Sequence, residues 1–110
     1  MPNMKIYADE RMARALIDDP DALLGEIRAL LCQALSVPAG ACQLAVVPIR
    51  GLRDQPSINV ELMILPRDDR TRELLTDLAA QVRNRLTDAT GLQTAVRIAH
   101  LDPQTYVALK

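Results

Sequence analysis

A single α+β domain over residues 1–110 is expected, with two layers in the order β-α-β-β-α-β, and three observations point to it. Short apolar strands alternate with longer stretches whose leucines recur at helical spacing. The two halves of the chain match at an offset of 51: Leu23, Leu24, Ile27, Leu31 and Leu35 fall on Leu74, Leu75, Leu78, Val82 and Leu86, Gly40 on Gly91 and Val47 on Ile98. Self-similarity of this kind marks a β-α-β unit written twice, and so a pseudo-twofold repeat. Finally, both crossovers are expected to be right-handed, which puts both helices on one face of a four-stranded mixed sheet.

The elements follow in order. Met4 to Ala8 reads as the first strand, and the polar stretch Asp9 to Asp19 ends in Asp19 and Pro20, a good N-cap and first-turn pair. The first long helix then carries the Leu23 to Leu35 stripe until Val37-Pro38-Ala39-Gly40 stops it. Leu44 to Ile49 is a compact apolar strand, Arg50 to Ser57 a loop, and Ile58 to Leu65 a third strand. Pro66-Arg67-Asp68-Asp69 is expected to open the second long helix, Gly91 lies past its end, and Ala95 to Leu101 is the last strand. The second and third strands are apolar at consecutive positions, with Asn59 and Glu61 as the polar breaks. That pattern suits strands buried on both faces. A helix-free apolar face would be a large patch in water, so a homo-oligomer packed sheet to sheet is expected. Glu61 and Asn59 should then lie near a subunit contact or pocket, not in a dry core.

Composition narrows the function. Thirteen basic against fourteen acidic residues give a net charge of -1, without the positive excess that nucleic acid or an anionic membrane selects. Tyr7 and Tyr106 are the only aromatics, which argues against base-stacking platforms. No apolar run has the length of a membrane span and the N-terminus lacks a signal-like core, so a cytoplasmic location is expected. Cys32 and Cys42 fit no zinc spacing and read as two small apolar side chains. His100, the only histidine, has no evident acidic or thiol partner, and Arg67, Arg70, Arg72, Arg83 and Arg85 alternate with acids as the solvated face of the second long helix.

One residue type carries distinctive chemistry. Pro2 follows the initiator Met1 directly and precedes the first strand. Removal of Met1 would free a secondary amine, and an apolar setting disfavours its charged form, turning it into a base at neutral pH. The first half has extra residues ahead of its helix, with Arg11 and Arg14 among them, free to line a site at one end of the sheet.

The opening Met1-Pro2-Asn3-Met4-Lys5-Ile6, the Leu35-Ser36-Val37-Pro38 helix end, the doubled β-α-β and the closing Leu101-Asp102-Pro103 and Ala108-Leu109-Lys110 together resemble the tautomerase superfamily. They are most similar to members of the size of 5-carboxymethyl-2-hydroxymuconate isomerase and macrophage migration inhibitory factor. The resemblance spans essentially the whole chain. It implies a homotrimer, with sites at subunit contacts in which the amino-terminal proline, here Pro2, is the general base. It further implies a tautomerase or isomerase that moves a proton in an enol or 2-oxo acid without metal or organic cofactor, as in aromatic catabolism. The substrate carboxylate would be held by arginines: Arg11, one position short of the family's arginine after the first strand, and Arg97, at a last-strand position facing a neighbour's pocket. At the start of the second strand, where the family often has arginine, this chain has Ala41-Cys42-Gln43, and Arg50 at the far end of that strand is the candidate to compensate.

Two other readings stay open. Ferredoxin-like binding modules share the β-α-β-β-α-β order. Parallel pairing of strands 1 and 2 favours the tautomerase arrangement, strand 1 beside strand 3 the ferredoxin-like one. A tautomerase-like fold without catalysis is the other, since a retained Met1 would acylate Pro2.

Overall fold

A computed structural model describes all 110 residues. Its elements are β1 (Asn3–Asp9), α1 (Arg14–Asp18), α2 (Asp21–Leu35), β2 (Gln43–Ile49), β3 (Ile58–Ile64), α3 (Arg72–Thr90) and β4 (Thr94–His100), with a 3-10 turn at Ala39–Ala41 before β2. The four strands form one mixed sheet in the order β2-β1-β3-β4. β1 runs parallel to β2 and antiparallel to β3, and β3 runs parallel to β4. This is the two-layer α+β arrangement expected. β1 lies beside β3 as well as β2, so the expectation that strand 1 beside strand 3 marks the ferredoxin-like fold does not hold. What separates the two folds is that no strand intervenes between β1 and β2, whereas a split β-α-β places one there.

Period-2 alternation decides which side chains meet the helices. Met4, Ile6 and Ala8 of β1 and Ile58, Val60, Leu62 and Ile64 of β3 are buried under Ile27, Leu31 and Leu35 of α2 and Leu78, Val82 and Leu86 of α3. The predicted stripes are therefore the core stripes. The opposite, helix-free face differs from the expectation of strands buried on both sides. On β3 buried residues alternate with half-buried Asn59 and exposed Glu61 and Met63. Register places Lys5, Glu61 and Arg97 in one row across the sheet, and Arg97 donates to Asn59 Oδ1 at 3.0 Å. Apolar character on this face is concentrated on β2, where Ala45, Val47 and Ile49 are half-buried. Glu61 accordingly lies away from the helices, as its charge requires.

Several local expectations shift. Short α1, which buries Leu16, occupies part of the polar stretch read as a connection. α2 begins one residue after Pro20 without a side-chain cap, so Asp19 is not the capping acceptor. α3 begins at Arg72, not near Pro66, because the Thr71 hydroxyl accepts the Leu74 N–H and caps the helix there. Gly91 takes the left-handed conformation (φ 71°) that ends α3, but in the first half that part is played by Ser36 (φ 54°), and Gly40 sits in the 3-10 turn. The matching of Val47 with Ile98 also fails. Val47 pairs with Tyr7 on the open face whereas Ile98 pairs with Leu62 on the helix face, and a one-residue slip exchanges faces.

Candidate active site around Pro2

Pro2 is buried at the start of β1, behind half-exposed Met1. Its carbonyl accepts the Gln43 N–H at 2.9 Å, which ties the chain start to the first residue of β2. Parallel and antiparallel pairing together set the neighbourhood: the start of β2, the end of β3 and the end of β4 all lie at this end of the sheet.

At this end of the sheet stands Arg70, which is not on the solvated helix face expected for it. β3 stops at Ile64, and the Arg70 N–H closes a turn on the Arg67 carbonyl at 2.9 Å just ahead of the Thr71 cap. The turn folds the Arg70 side chain inward. It is only 7% exposed, one guanidinium nitrogen donates to the Leu65 carbonyl at 2.6 Å, and its Nε has no partner. Burial pushes its pKa down, the like charge of Arg67 adds to that, and Asp69 and Cys42 oppose it. A buried cation with an unsatisfied donor is costly to fold, and such groups concentrate where a ligand completes them. Arg67 lies alongside, paired with Asp69 at 2.8 Å and reaching the Leu35 carbonyl. The signal that would have found Arg70 is the Thr71 cap: starting the helix there places Arg67 and Arg70 in the turn that ends β3.

The arginines named from sequence do not gather around Pro2 within one chain. Arg11 follows β1 at its other end, about 20 Å away along a seven-residue strand. Its guanidinium donates to Asp9 at 3.0 and 3.2 Å and to the Gly51 carbonyl, and the guanidinium together with the Arg11 and Gly51 backbone N–H groups holds the Asp9 carboxyl well below the usual carboxylate range. Arg11 and Asp9 line a cavity of about 130 Å³ with Met12, Leu52, Arg53 and Ser57. Arg50 is at the same end and pairs with Glu10 at 2.6 Å. Arg14 pairs with Asp18, so neither Arg11 nor Arg14 is a free cation. Arg97 lies midway along the edge strand β4, on the open face.

A mixed four-stranded sheet in the order β2-β1-β3-β4, backed by helices on one side, defines a class of small α+β proteins. Within it, this chain has the tautomerase-superfamily fold, as its solved neighbours show. It superposes on N1, a member of the cis-3-chloroacrylic acid dehalogenase family, with a TM-score of 0.71 and 18% identity over 96% of this chain and 79% of that one. Against macrophage migration inhibitory factor from Toxoplasma gondii the TM-score is 0.69, with 14% identity over 96% of this chain and 95% of that one. Native fused 4-OT gives 0.69 with 10% identity over 96% and 91%. A domain of unknown function from Sebaldella termitidis is as similar, at 0.69 and 17% identity over 98% and 95%. No family model matches the sequence, and no curated protein does.

Proposed function

We propose that this chain is a cofactor-independent tautomerase or isomerase that moves a proton in an enol or 2-oxo acid, with Pro2 as general base once Met1 is removed. The observation that carries it is the placement of Arg70, a buried arginine with a free donor, at the same end of the sheet as buried Pro2. A neutral amine can take a proton from the enol oxygen or from carbon beside the 2-oxo group and return it to another atom. A planar guanidinium meets a carboxylate in two parallel bonds and stabilises the charge that develops on the dienolate. That division of labour asks for no redox step and no metal. The likeness in fold to a dehalogenase-family member and to fused 4-OT supports the chemistry.

Arg11, Arg50 and Arg97 enter the same proposal through a second subunit, since one chain keeps them away from its own Pro2. Assembly as a homotrimer through the helix-free face would bring them to a neighbour's site, and one of the similar structures is described as a symmetric trimer of fused 4-OT. Sedimentation at micromolar concentration would then give three chains per particle, and a monomer would leave Arg70 and Arg67 as the only carboxylate ligands proposed.

The function is tested by ketonisation of phenylenolpyruvate or 2-hydroxymuconate, followed by ultraviolet absorbance with protein whose intact mass lacks Met1. Turnover above buffer is expected, with Pro2→Ala slower by about 10²- to 10⁴-fold while the fold is kept. No turnover, or a Pro2→Ala variant as fast as the parent, refutes the enzyme reading and leaves a silent tautomerase-like binding module.

A further inference from the structure

Cys32 on α2 and Cys42, the residue before β2, bring their sulfurs to 3.8 Å, a contact between thiols ten residues apart in sequence. Both are reachable. Cys42 borders a surface depression of about 490 Å³ together with Asp21, Leu24 and Arg28, and Cys32 borders a second of about 500 Å³ with Ala29, Gln33 and Ala39. Gly25 and Arg28 edge both openings, so the Arg28 guanidinium stands beside the pair as a cation that favours anionic sulfur.

We propose that Cys32 and Cys42 form a peroxide-responsive dithiol that closes to an intramolecular disulfide and clamps the segment holding Pro2 against β2. The less buried Cys32 sulfur attacks one peroxide oxygen, the O–O bond breaks, and Cys32 becomes a sulfenic acid while its thiol proton leaves in a first water. Cys42 then attacks that sulfur, the S–S bond forms, and the displaced hydroxyl leaves with the Cys42 proton as a second water. Two thiols lose two electrons and one hydrogen peroxide is reduced to two waters. Closure needs the sulfurs to approach from 3.8 Å to about 2.05 Å, a movement within the range of side-chain rotation and small backbone adjustment. Burial pushes the Cys42 thiol up to about 11, which leaves the less buried Cys32 to meet the peroxide first.

The consequence follows from what Cys42 adjoins. Its neighbour Gln43 donates the 2.9 Å hydrogen bond to the Pro2 carbonyl, and the Cys42 N–H closes the 3-10 turn on Ala39. A covalent tie to α2 therefore restrains the connection from Ser36 to Cys42 and slows opening of the Gln43 bond. None of this requires Pro2 to be a base.

The test is treatment of reduced protein with hydrogen peroxide at one equivalent. Both cysteines fall in the single tryptic peptide from Ala29 to Arg50, so closure reads as loss of about 2 Da on that peptide, reversed by dithiothreitol. The expected result is disappearance of both free thiols, a monomeric chain on a non-reducing denaturing gel, a thermal midpoint raised by roughly 5–15 °C, and slower hydrogen exchange at Gln43. Cys42→Ser, or Cys32→Ala should that variant fold poorly, gains no thermal increment from peroxide. The proposal is overturned if both thiols still titrate after peroxide, if the bond forms only between chains, or if the closed form exchanges Gln43 as fast as the open one.

Discussion

Replacing Arg70 by methionine should separate what this residue does for the fold from what it does for a ligand. The guanidinium makes one hydrogen bond, to the Leu65 carbonyl at 2.6 Å, and leaves its buried Nε unpartnered. A hydrogen bond from a charged group contributes about 1.5–3 kcal/mol, and an unsatisfied buried donor costs about 1–3 kcal/mol. Methionine removes both terms at similar volume and also the repulsion from Arg67, so the two nearly cancel and unfolding stability should change by less than about 1 kcal/mol. Urea unfolding measures that side. On the functional side, ketonisation of phenylenolpyruvate should lose at least about 10²-fold in kcat/KM, the scale of removing one preorganised donor from a developing charge. Arg70→Lys should recover part of it, since the charge returns without the planar fork. A loss of about 3 kcal/mol or more with turnover intact would mean that Arg70 is a structural pin and that no ligand completes it.

Two further outcomes follow from the fold. The Asp9 carboxyl ionises well below its ordinary value because Arg11 and backbone N–H groups hold its charged form. The unfolded chain therefore takes up this proton first on acidification, so stability present above about pH 4 should fall away below it. Asp9→Asn should flatten that limb in urea midpoints measured across pH 2–6, and an unchanged slope would show that the Arg11 pair is not responsible. Ser36 is held at φ 54° where a side chain is strained, so Ser36→Gly should stabilise by up to about 1 kcal/mol. Gly91→Ala, at φ 71° with open space around the added carbon, should destabilise by about 1 kcal/mol, both read from thermal unfolding.

The fold was legible where local pattern and burial agree. Leu23 to Leu35 and Leu74 to Leu86 announce their faces because one stripe serves both helix periodicity and core. Met4, Ile6 and Ala8 do the same with period 2 on β1. Misreadings fall where a residue's surroundings come from distant chain. The apolar run in β2 does not tell which face is open, because that depends on pairing with β1. The repeat offset holds through the helices and then places Val47 and Ile98 on opposite faces, which only register reveals. Pro2 could be singled out from its place next to the first strand. Arg70 is hinted at only by the Thr71 cap, which puts it in the turn ahead of α3, while its burial depends on how that turn folds back at the end of β3, and the contact of Cys32 with Cys42 exists only once α2 packs beside β2.

The basicity of Pro2 can be measured directly. In protein lacking Met1 and labelled with nitrogen-15 at proline, the Pro2 amine signal should be followed by NMR across pH 4–10. Burial of Pro2 disfavours the protonated amine, so the expected midpoint lies below the value of about 8 of an ordinary α-amino group. A midpoint at or above about 8, or a Pro2 nitrogen that remains an amide because Met1 is kept, would contradict the assignment of Pro2 as the base.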